Sequence, residues 1–99
     1  MKQIEVHLFV FDSLSDWESG YAVAGINNPQ FQLNPGRFRI RTVALRSGAI
    51  LTIGGIRIVP DITVEKLLPE ESGMLILPGG TAWDTGENME IVEVARKFI

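Results

Sequence analysis

The stretch that most constrains the fold is Met74–Leu77, four consecutive large apolar residues, followed by Pro78–Gly80. It predicts a strand buried on both faces, as in a parallel sheet, that ends at the Pro-Gly-Gly turn. The glycines have no Cβ, so the backbone there is free to adopt positive φ and bring its amides close to another group. After the turn, Thr81 is predicted to cap a helix, and Asp84 suits the positive end of its dipole. Such a strand, turn and helix form a usual ligand site in open α/β sheets, although the glycines alone also fit a simple tight turn.

Composition and charge exclude several classes of protein. The 99 residues are 45% hydrophobic and 21% charged, which fits one ordinary globular domain. The net charge is −3, and the longest basic pattern, Arg37, Arg39 and Arg41, alternates along a predicted strand as its solvent face. We therefore expect no nucleic-acid or membrane partner. Because no apolar run approaches ~18 residues and Glu5 and His7 interrupt any signal-peptide core, we expect a cytoplasmic protein.

The numbers of cysteines and histidines limit the chemistry available to the chain. There is no cysteine, which excludes disulfides, cysteine-based zinc sites and a thiol nucleophile within these residues. The single histidine, His7, has no cluster of carboxylates near it in the sequence, so we expect neither a metal nor a cofactor. His7 lies in the middle of a predicted strand, which favours a packed or hydrogen-bonded residue over a catalytic base. We also expect no serine and acid to complete a catalytic group around it.

Hydrophobic periodicity predicts the remaining elements. In the first helix, Trp17 and Tyr21 are predicted to lie on the face that packs against the sheet. A capping box is predicted at Ser15–Glu18. The predicted elements are core strands at Ile4–Phe11 and Arg37–Leu45, helices at Asp16–Asn27 and Glu87–Ile99, a hairpin of Ala49–Ile53 with Ile56–Val59, a loop at Asn28–Gly36 and at most one helical turn in Thr63–Leu68.

Two helices are few for a parallel sheet, which needs helices on both of its faces. The last predicted helix also ends on Phe98–Ile99 without a glycine or a polar C-cap. We therefore expect the chain to be the N-terminal part of one larger α/β domain.

Three motifs in order resemble one family. They are Phe11–Asp12 before Asp16–Glu18, the run Gly54–Asp61, and Leu77–Trp83 with its Pro-Gly-Gly. The chain resembles the ThiJ/PfpI family of intracellular protease/amidase-like proteins over nearly all of its length. The resemblance implies the flavodoxin-like α/β fold of class I glutamine amidotransferases, with a mostly parallel sheet and flanking helices.

The resemblance also implies functional residues. Glu18 matches the acid that hydrogen-bonds the family's nucleophilic cysteine, and Gly80 matches the residue whose N–H helps to form the oxyanion hole. Gly79 and Thr81 are then the expected ligand-binding neighbours. The family's cysteine lies on the strand that would begin just past Ile99, so we expect the 99 residues alone to be inactive. The other reading of Glu18 is a capping-box residue, and a residue in the first helical turn is able to serve both roles.

The implied function is that of a cysteine hydrolase acting on small amide, carbonyl-adduct or peptide substrates. Two alternatives remain open: a non-enzymatic domain that binds a small ligand at Gly79–Gly80, and a structural half-domain that associates with itself. Because Met74–Leu77 and the helix at Glu87–Ile99 would leave apolar surface uncovered, we expect a homo-oligomer or a companion C-terminal fragment.

Overall fold

The computed structural model describes residues 3–28, 30 and 32–99, and shows an open α/β sheet with a small hairpin. The predicted loop 28–36 includes residues 29 and 31, which lie outside the described residues. The strands and helices are β1 Ile4–Phe9, α1 Gly20–Asn27, β2 Phe38–Ala44, β3 Ile50–Leu51, β4 Arg57–Ile58, β5 Ile62–Thr63, β6 Ser72–Ile76 and α2 Met89–Arg96.

The main sheet has four strands in the order β5-β2-β1-β6, and every pair in it is parallel. β1 is therefore central, with β2 on one side and β6 on the other. Its register joins Ile4 to Phe38 and Phe9 to Val43. β3 and β4 form a separate antiparallel hairpin, as predicted. This arrangement confirms the expected mostly parallel α/β fold.

The core lies around the second half of β1, where Leu8 and Phe9 are buried, with exposures of 6% and 0%. Successive residues of a strand point to opposite faces, so burial of both shows that both faces of the sheet are covered at this point. Val43 of β2 and Ile91 of α2 are fully buried in the same cluster. The prediction that Ile4–Phe11 contains a central strand is therefore confirmed.

The prediction that Met74–Leu77 is buried on both faces is wrong. β6 is the edge strand of the sheet, and Met74 and Leu77 are 52% and 41% exposed. An apolar run is buried only when other elements cover both of its faces, and at the edge of this sheet the described residues leave the face of Met74 open to solvent.

The first helix is also shorter than predicted. It begins at Gly20, so Trp17 precedes it in a turn, and Trp17 and Tyr21 are 67% and 93% exposed. Ser19 is the N-cap and makes no side-chain capping bond. The predicted capping box is absent because Asp16 and Glu18 hydrogen-bond to other segments of the chain.

Candidate functional site

The candidate site lies at the carboxyl end of β6, where Glu18 meets the Pro-Gly-Gly turn. Glu18 Oε1 accepts a hydrogen bond of 3.0 Å from the N–H of Gly79, which is 61 residues further along the chain. A second hydrogen bond joins the same two segments, because the N–H of Ser15 donates to the carbonyl of Gly79 at 2.9 Å. The structure thus brings together Glu18 and Gly79, two of the residues selected from the sequence.

Close approach requires a residue without a Cβ at both positions of the turn, as the sequence indicated, although neither glycine uses its freedom to adopt positive φ. Gly80 is extended, with φ 166° and ψ 162°, and Gly79 is not among the glycines with positive φ. A Cβ on Gly79 would lie 2.6 Å from Glu18 Oε1. A Cβ on Gly80 would lie 2.6 Å from both the Phe11 ring and the Ser13 carbonyl oxygen. The turn therefore packs directly against the loop that follows β1.

The N–H of Gly80 has no acceptor among residues 3–28, 30 and 32–99. Gly80 forms an isolated antiparallel bridge with Leu14, in which the flanking N–H of Ser15 donates to Gly79. In a bridge of this type the paired residues themselves do not exchange hydrogen bonds. The Gly80 N–H therefore does not bond to Leu14 across the bridge.

Ser13, which the sequence reading did not select, caps the turn that Thr81 was predicted to cap. Thr81 begins a 3₁₀ turn, Thr81–Trp83, but makes no side-chain cap. Instead, Ser13 Oγ accepts a 3.0 Å hydrogen bond from the N–H of Ala82. Ser13 has φ 79°, a backbone conformation that is costly for a residue with a Cβ. The surrounding hydrogen bonds hold it there, and no local sequence pattern indicates this.

Asp16 joins the same loop to the hairpin. Its carboxylate accepts hydrogen bonds from the hydroxyl of Thr52 at 2.5 Å and from the N–H of Gly54 at 2.8 Å. The Thr52 hydrogen bond is the main reason that the pKa of Asp16 lies below its usual value. Asp16 and Glu18 thus fix the loop from two sides, one to the hairpin and the other to the glycine turn.

Three aromatic side chains, those of Phe9, Phe11 and Trp83, pack against one another next to the turn. The rings of Phe9 and Phe11 stack with centroids 5.1 Å apart, and Trp83 meets Phe11 edge-on at 5.7 Å. The indole N–H of Trp83 also donates to the carbonyl of Pro78 at 2.8 Å. These contacts connect the turn to the buried end of β1 and limit its freedom to move.

The arrangement places a carboxylate beside one backbone donor, the Gly80 N–H, that has no acceptor among the described residues. A backbone N–H that packing holds in place is able to stabilise negative charge. Within the described part of the chain, no three His, Asp or Glu side chains converge as metal ligands. No helix among the described residues is both long and apolar enough to cross a membrane.

His7 is buried and hydrogen-bonded within the sheet, as predicted, at 4% exposure. The structure places a serine and an acid beside its ring, although none was expected to complete a catalytic group there. Ser72 lies 2.7 Å from one ring nitrogen of His7 and Glu5 lies 3.8 Å from the other. Parallel pairing of β1 with β6 brings Ser72 there from 65 residues away, which the sequence could not indicate.

An open parallel sheet with an acidic side chain held against a glycine turn beyond its edge strand defines a flavodoxin-like α/β protein with a site at the carboxyl ends of its strands. Comparison with known proteins gives the particular family. Residues 4–99 match the DJ-1/PfpI family, and the chain belongs to it.

Individual relatives agree with this assignment. The chain is 36% identical over 84 residues to the "Uncharacterized protease YoaZ" of Bacillus subtilis (strain 168), a match that covers 84% of this chain and 40% of the relative. It superposes on the thiJ/pfpI family protein of Bacillus anthracis with a TM-score of 0.82 and 36% identity, covering 99% of this chain and 47% of that one.

A more distant structure shows the fold alone. The DJ-1 superfamily protein Atu0886 of Agrobacterium tumefaciens superposes with a TM-score of 0.79 at 20% identity, covering 97% of this chain and 48% of the other. The chain thus spans 40% of the Bacillus subtilis relative and just under half of these two solved structures.

Proposed function

We propose that this chain supplies the acidic partner and the oxyanion turn of a cysteine-dependent hydrolase that acts on amide or carbonyl-adduct substrates. The observation that carries the proposal is the 3.0 Å hydrogen bond from the Gly79 N–H to Glu18, which joins the acid to the turn. Family membership and the protease name of the Bacillus subtilis relative support the reaction class.

The roles follow from the chemistry of a thiol. A thiolate attacks the substrate carbonyl, a neighbouring carboxyl group influences the protonation of the thiol, and fixed amides stabilise the oxyanion that forms. In this proposal Glu18 is the carboxyl group and the N–H of Gly80 is one of the amides. Because residues 1–99 contain no cysteine, a segment outside them must supply the thiol.

The test is a fusion of this chain to the segment of the Bacillus subtilis relative that follows the matched region, provided that this segment carries the family's cysteine. We expect Glu18→Gln and Glu18→Leu to change the pH profile of alkylation of that cysteine by iodoacetamide. Glu93→Gln, an exposed carboxylate on α2, is the matched control and should leave the profile unchanged. Identical profiles for the wild-type fusion and both Glu18 variants would contradict the proposed role.

The 99-residue chain alone should show no hydrolase, deglycase or amidase turnover above background. The oxyanion turn has no nucleophile to work with in the absence of a thiol. Removing one oxyanion donor from a complete site costs about 2.7–4 kcal/mol of transition-state stabilisation, so the donor matters only when the nucleophile is present. Turnover comparable with that of a full-length relative, abolished by a substitution within residues 1–99, would contradict this prediction.

We also propose that the chain associates, either with itself or with a companion segment. Met74 on the edge strand is exposed, and so are Leu77 just after this strand and Ile99 after α2. At ~25 cal/mol per Å², several hundred Å² of such apolar surface represents on the order of 10 kcal/mol, which is as large as the stability of a small domain. Light scattering at micromolar concentration should therefore show a mass above 11.0 kDa. A compact monomer that unfolds cooperatively would overturn this proposal.

A further inference from the structure

A second group of reactive side chains lies at the amino end of the sheet, away from the glycine turn. Ser72 Oγ is 2.7 Å from His7 Nδ1, and Glu5 Oε1 is 3.8 Å from His7 Nε2. His7 is 4% exposed, whereas Ser72 and Glu5 are half-buried. The imidazole of His7 thus has a serine hydroxyl near one ring nitrogen and a carboxylate near the other. Of the three side chains, only those of Ser72 and Glu5 are partly open to solvent.

An irregularity in the sheet places Ser72 on this face. Ser72 pairs with Glu5 and Met74 pairs with Val6, so Gly73 is an extra residue between them. Such a bulge re-aims the side chains beside it, and here Ser72 shares the face of Glu5 and His7. Gly73 permits close approach, because a Cβ there would lie 2.6 Å from the Ile4 side chain.

The groups around His7 determine which of its two ring nitrogens carries the proton. The Glu5 carboxylate on the Nε2 side favours a proton on that nitrogen, which leaves Nδ1 to accept the proton of the Ser72 hydroxyl. The other acceptor near Ser72 Oγ, the Met74 carbonyl, is further away at 3.1 Å. Burial is the main cause that lowers the pKa of His7, with a contribution from Arg41, and it keeps the ring neutral at pH 7.

Glu5 is held as a carboxylate by the arginines of β2. Arg39 Nη2 donates to Glu5 Oε2 at 2.6 Å, and Arg41 Nε lies 3.9 Å from the same oxygen. The Arg39 hydrogen bond is the largest cause that lowers the pKa of Glu5. A negative group therefore faces the side of the imidazole where positive charge would develop.

We propose that Ser72 is a nucleophile toward activated acyl donors, with His7 as its general base and Glu5 as the residue that orients the imidazole. Ser72 Oγ bonds to the acyl carbon, the bond from that carbon to the leaving oxygen breaks, and the hydroxyl proton passes to His7 Nδ1. The imidazolium formed faces Glu5 and then returns its proton to the leaving group.

The cleft beside Ser72 indicates which acyl donors fit. It has a volume of about 360 Å³ and is lined by Gln3, Ile4, Glu70, Glu71, Ser72 and Gly73. The two glutamates disfavour anions at its mouth, so neutral or cationic esters are the expected class. Ser72 begins β6 and the glycine turn follows its end, so the turn amides do not serve this serine, and we expect a single acylation and not turnover.

The experiment is covalent labelling of the 99-residue chain with a neutral alkyl fluorophosphonate, followed by intact mass and peptide mapping. The Ser72 oxygen would bond to phosphorus and displace fluoride. We expect one adduct at Ser72, loss of that adduct in Ser72→Ala, and labelling at the wild-type rate in Ser47→Ala, a matched variant of an exposed serine. An unlabelled Ser72 in the folded wild-type chain would overturn the proposal.

Two further variants separate activation by His7 from mere accessibility of the serine. Glu5→Gln retains the imidazole but removes the charge that orients it, and should slow labelling several-fold. His7→Gln should slow it at least tenfold, with circular dichroism confirming that the variant is folded. If His7→Gln unfolds, Glu5→Gln decides the question. Labelling at the wild-type rate in folded Glu5→Gln and His7→Gln would show that Ser72 is only accessible, which would also overturn the proposal.

Substrate class has its own test. The burst of nitrophenolate released from neutral p-nitrophenyl acetate should exceed that from the anionic p-nitrophenyl hemisuccinate, because Glu70 and Glu71 line the cleft. Equal bursts from the two esters would contradict the assigned selectivity. None of these measurements involves Glu18 or a thiol, so their failure and the failure of the proposed hydrolase function are distinguishable.

Discussion

The two ends of β6 carry polar sites that are built in different ways. At its carboxyl end, a backbone group takes part in each contact: the Gly79 N–H donates to the Glu18 side chain, and the carbonyl of Ser13 packs against Gly80. At its amino end, side chains contact one another, as Ser72 and His7 do. The first site depends on positions without a Cβ, and the second depends on the register between two strands.

This difference teaches where each site is sensitive. The glycine turn tolerates little added volume at Gly80, because the backbone carbonyl of Ser13 is not able to rotate away. A side-chain site tolerates added volume better but depends on every hydrogen-bonding partner, since a buried polar atom without a partner is costly. The predictions that follow separate these two kinds of dependence, beginning with the largest expected effect.

Alanine at the two close-packed glycines should have unequal effects. Gly80→Ala places a Cβ 2.6 Å from a backbone carbonyl and an aromatic ring, so we expect a loss of about 2–3 kcal/mol in the free energy of unfolding. Gly73→Ala meets a methyl group of the Ile4 side chain and not the backbone, and should cost less than Gly80→Ala. Urea unfolding measures both free energies.

The control for these substitutions is Gly25→Ala in α1, where a Cβ would meet no atom within 4 Å. Alanine there should raise the free energy of unfolding by roughly 0.5–1 kcal/mol, because it restricts the unfolded chain. If Gly73→Ala costs as much as Gly80→Ala, the distinction between a backbone site and a side-chain site is not valid.

Removal of the Ser72 hydroxyl should cost an intermediate amount. Ser72→Ala leaves His7 Nδ1 buried without its partner, and we expect a loss of about 1–2 kcal/mol by urea unfolding. Ser47→Ala, at an exposed loop position, should stay within about 0.5 kcal/mol of the wild type. Equal stability of the two variants would show that the hydrogen bond to His7 contributes little.

Stability should also depend on pH through His7. The folded-state pKa of His7 lies below the usual value of about 6.5, so the unfolded chain binds more protons. The contribution of the neutral ring is therefore complete above pH about 6.5 and is lost as the pH falls through the lower folded-state pKa. The groups that act on this ring are Glu5, Arg41 and Ser72, and Arg39 hydrogen-bonds Glu5.

Thermal unfolding between pH 7 and pH 5 measures this dependence. The wild-type Tm should decrease over this range, and the Tm of His7→Gln should change less. The pKa of Asp61 is lowered mainly by the backbone hydrogen bond from Thr42. Asp61 therefore also stabilises the fold less as the pH falls, but this loss occurs at more acid pH than that of His7. If the Tm of His7→Gln decreases by the same amount, the pH dependence of stability does not come from His7.

The smallest effect is expected at the link between the hairpin and the Glu18 loop. Asp16→Asn weakens the hydrogen bonds to Thr52 and Gly54 on an exposed part of the chain, so a small decrease in Tm is expected. Hydrogen exchange of the Gly54 amide should accelerate, whereas that of the Gly79 amide should change less. Equal acceleration of both amides would show that the loop opens as one unit.

The sequence by itself determined the fold class. The apolar run before Pro78 and the alternation in β1 are local signals that predict strands and a glycine turn, and the order of the motifs carries the family resemblance that predicts the α/β fold. The resemblance also indicated Glu18 and the glycine turn, and the structure brings Glu18 and Gly79 together. Their roles in catalysis remain predictions.

Only the tertiary structure decided which apolar residues are covered and which polar residues meet. Met74 is exposed because its strand lies at the sheet edge, and Trp17 is exposed because α1 begins after it. Ser72 reaches His7 only through strand register and a bulge. Periodicity reports the local path of the backbone, whereas burial and long-range pairing depend on which distant segments lie alongside it, and no local pattern carries that information.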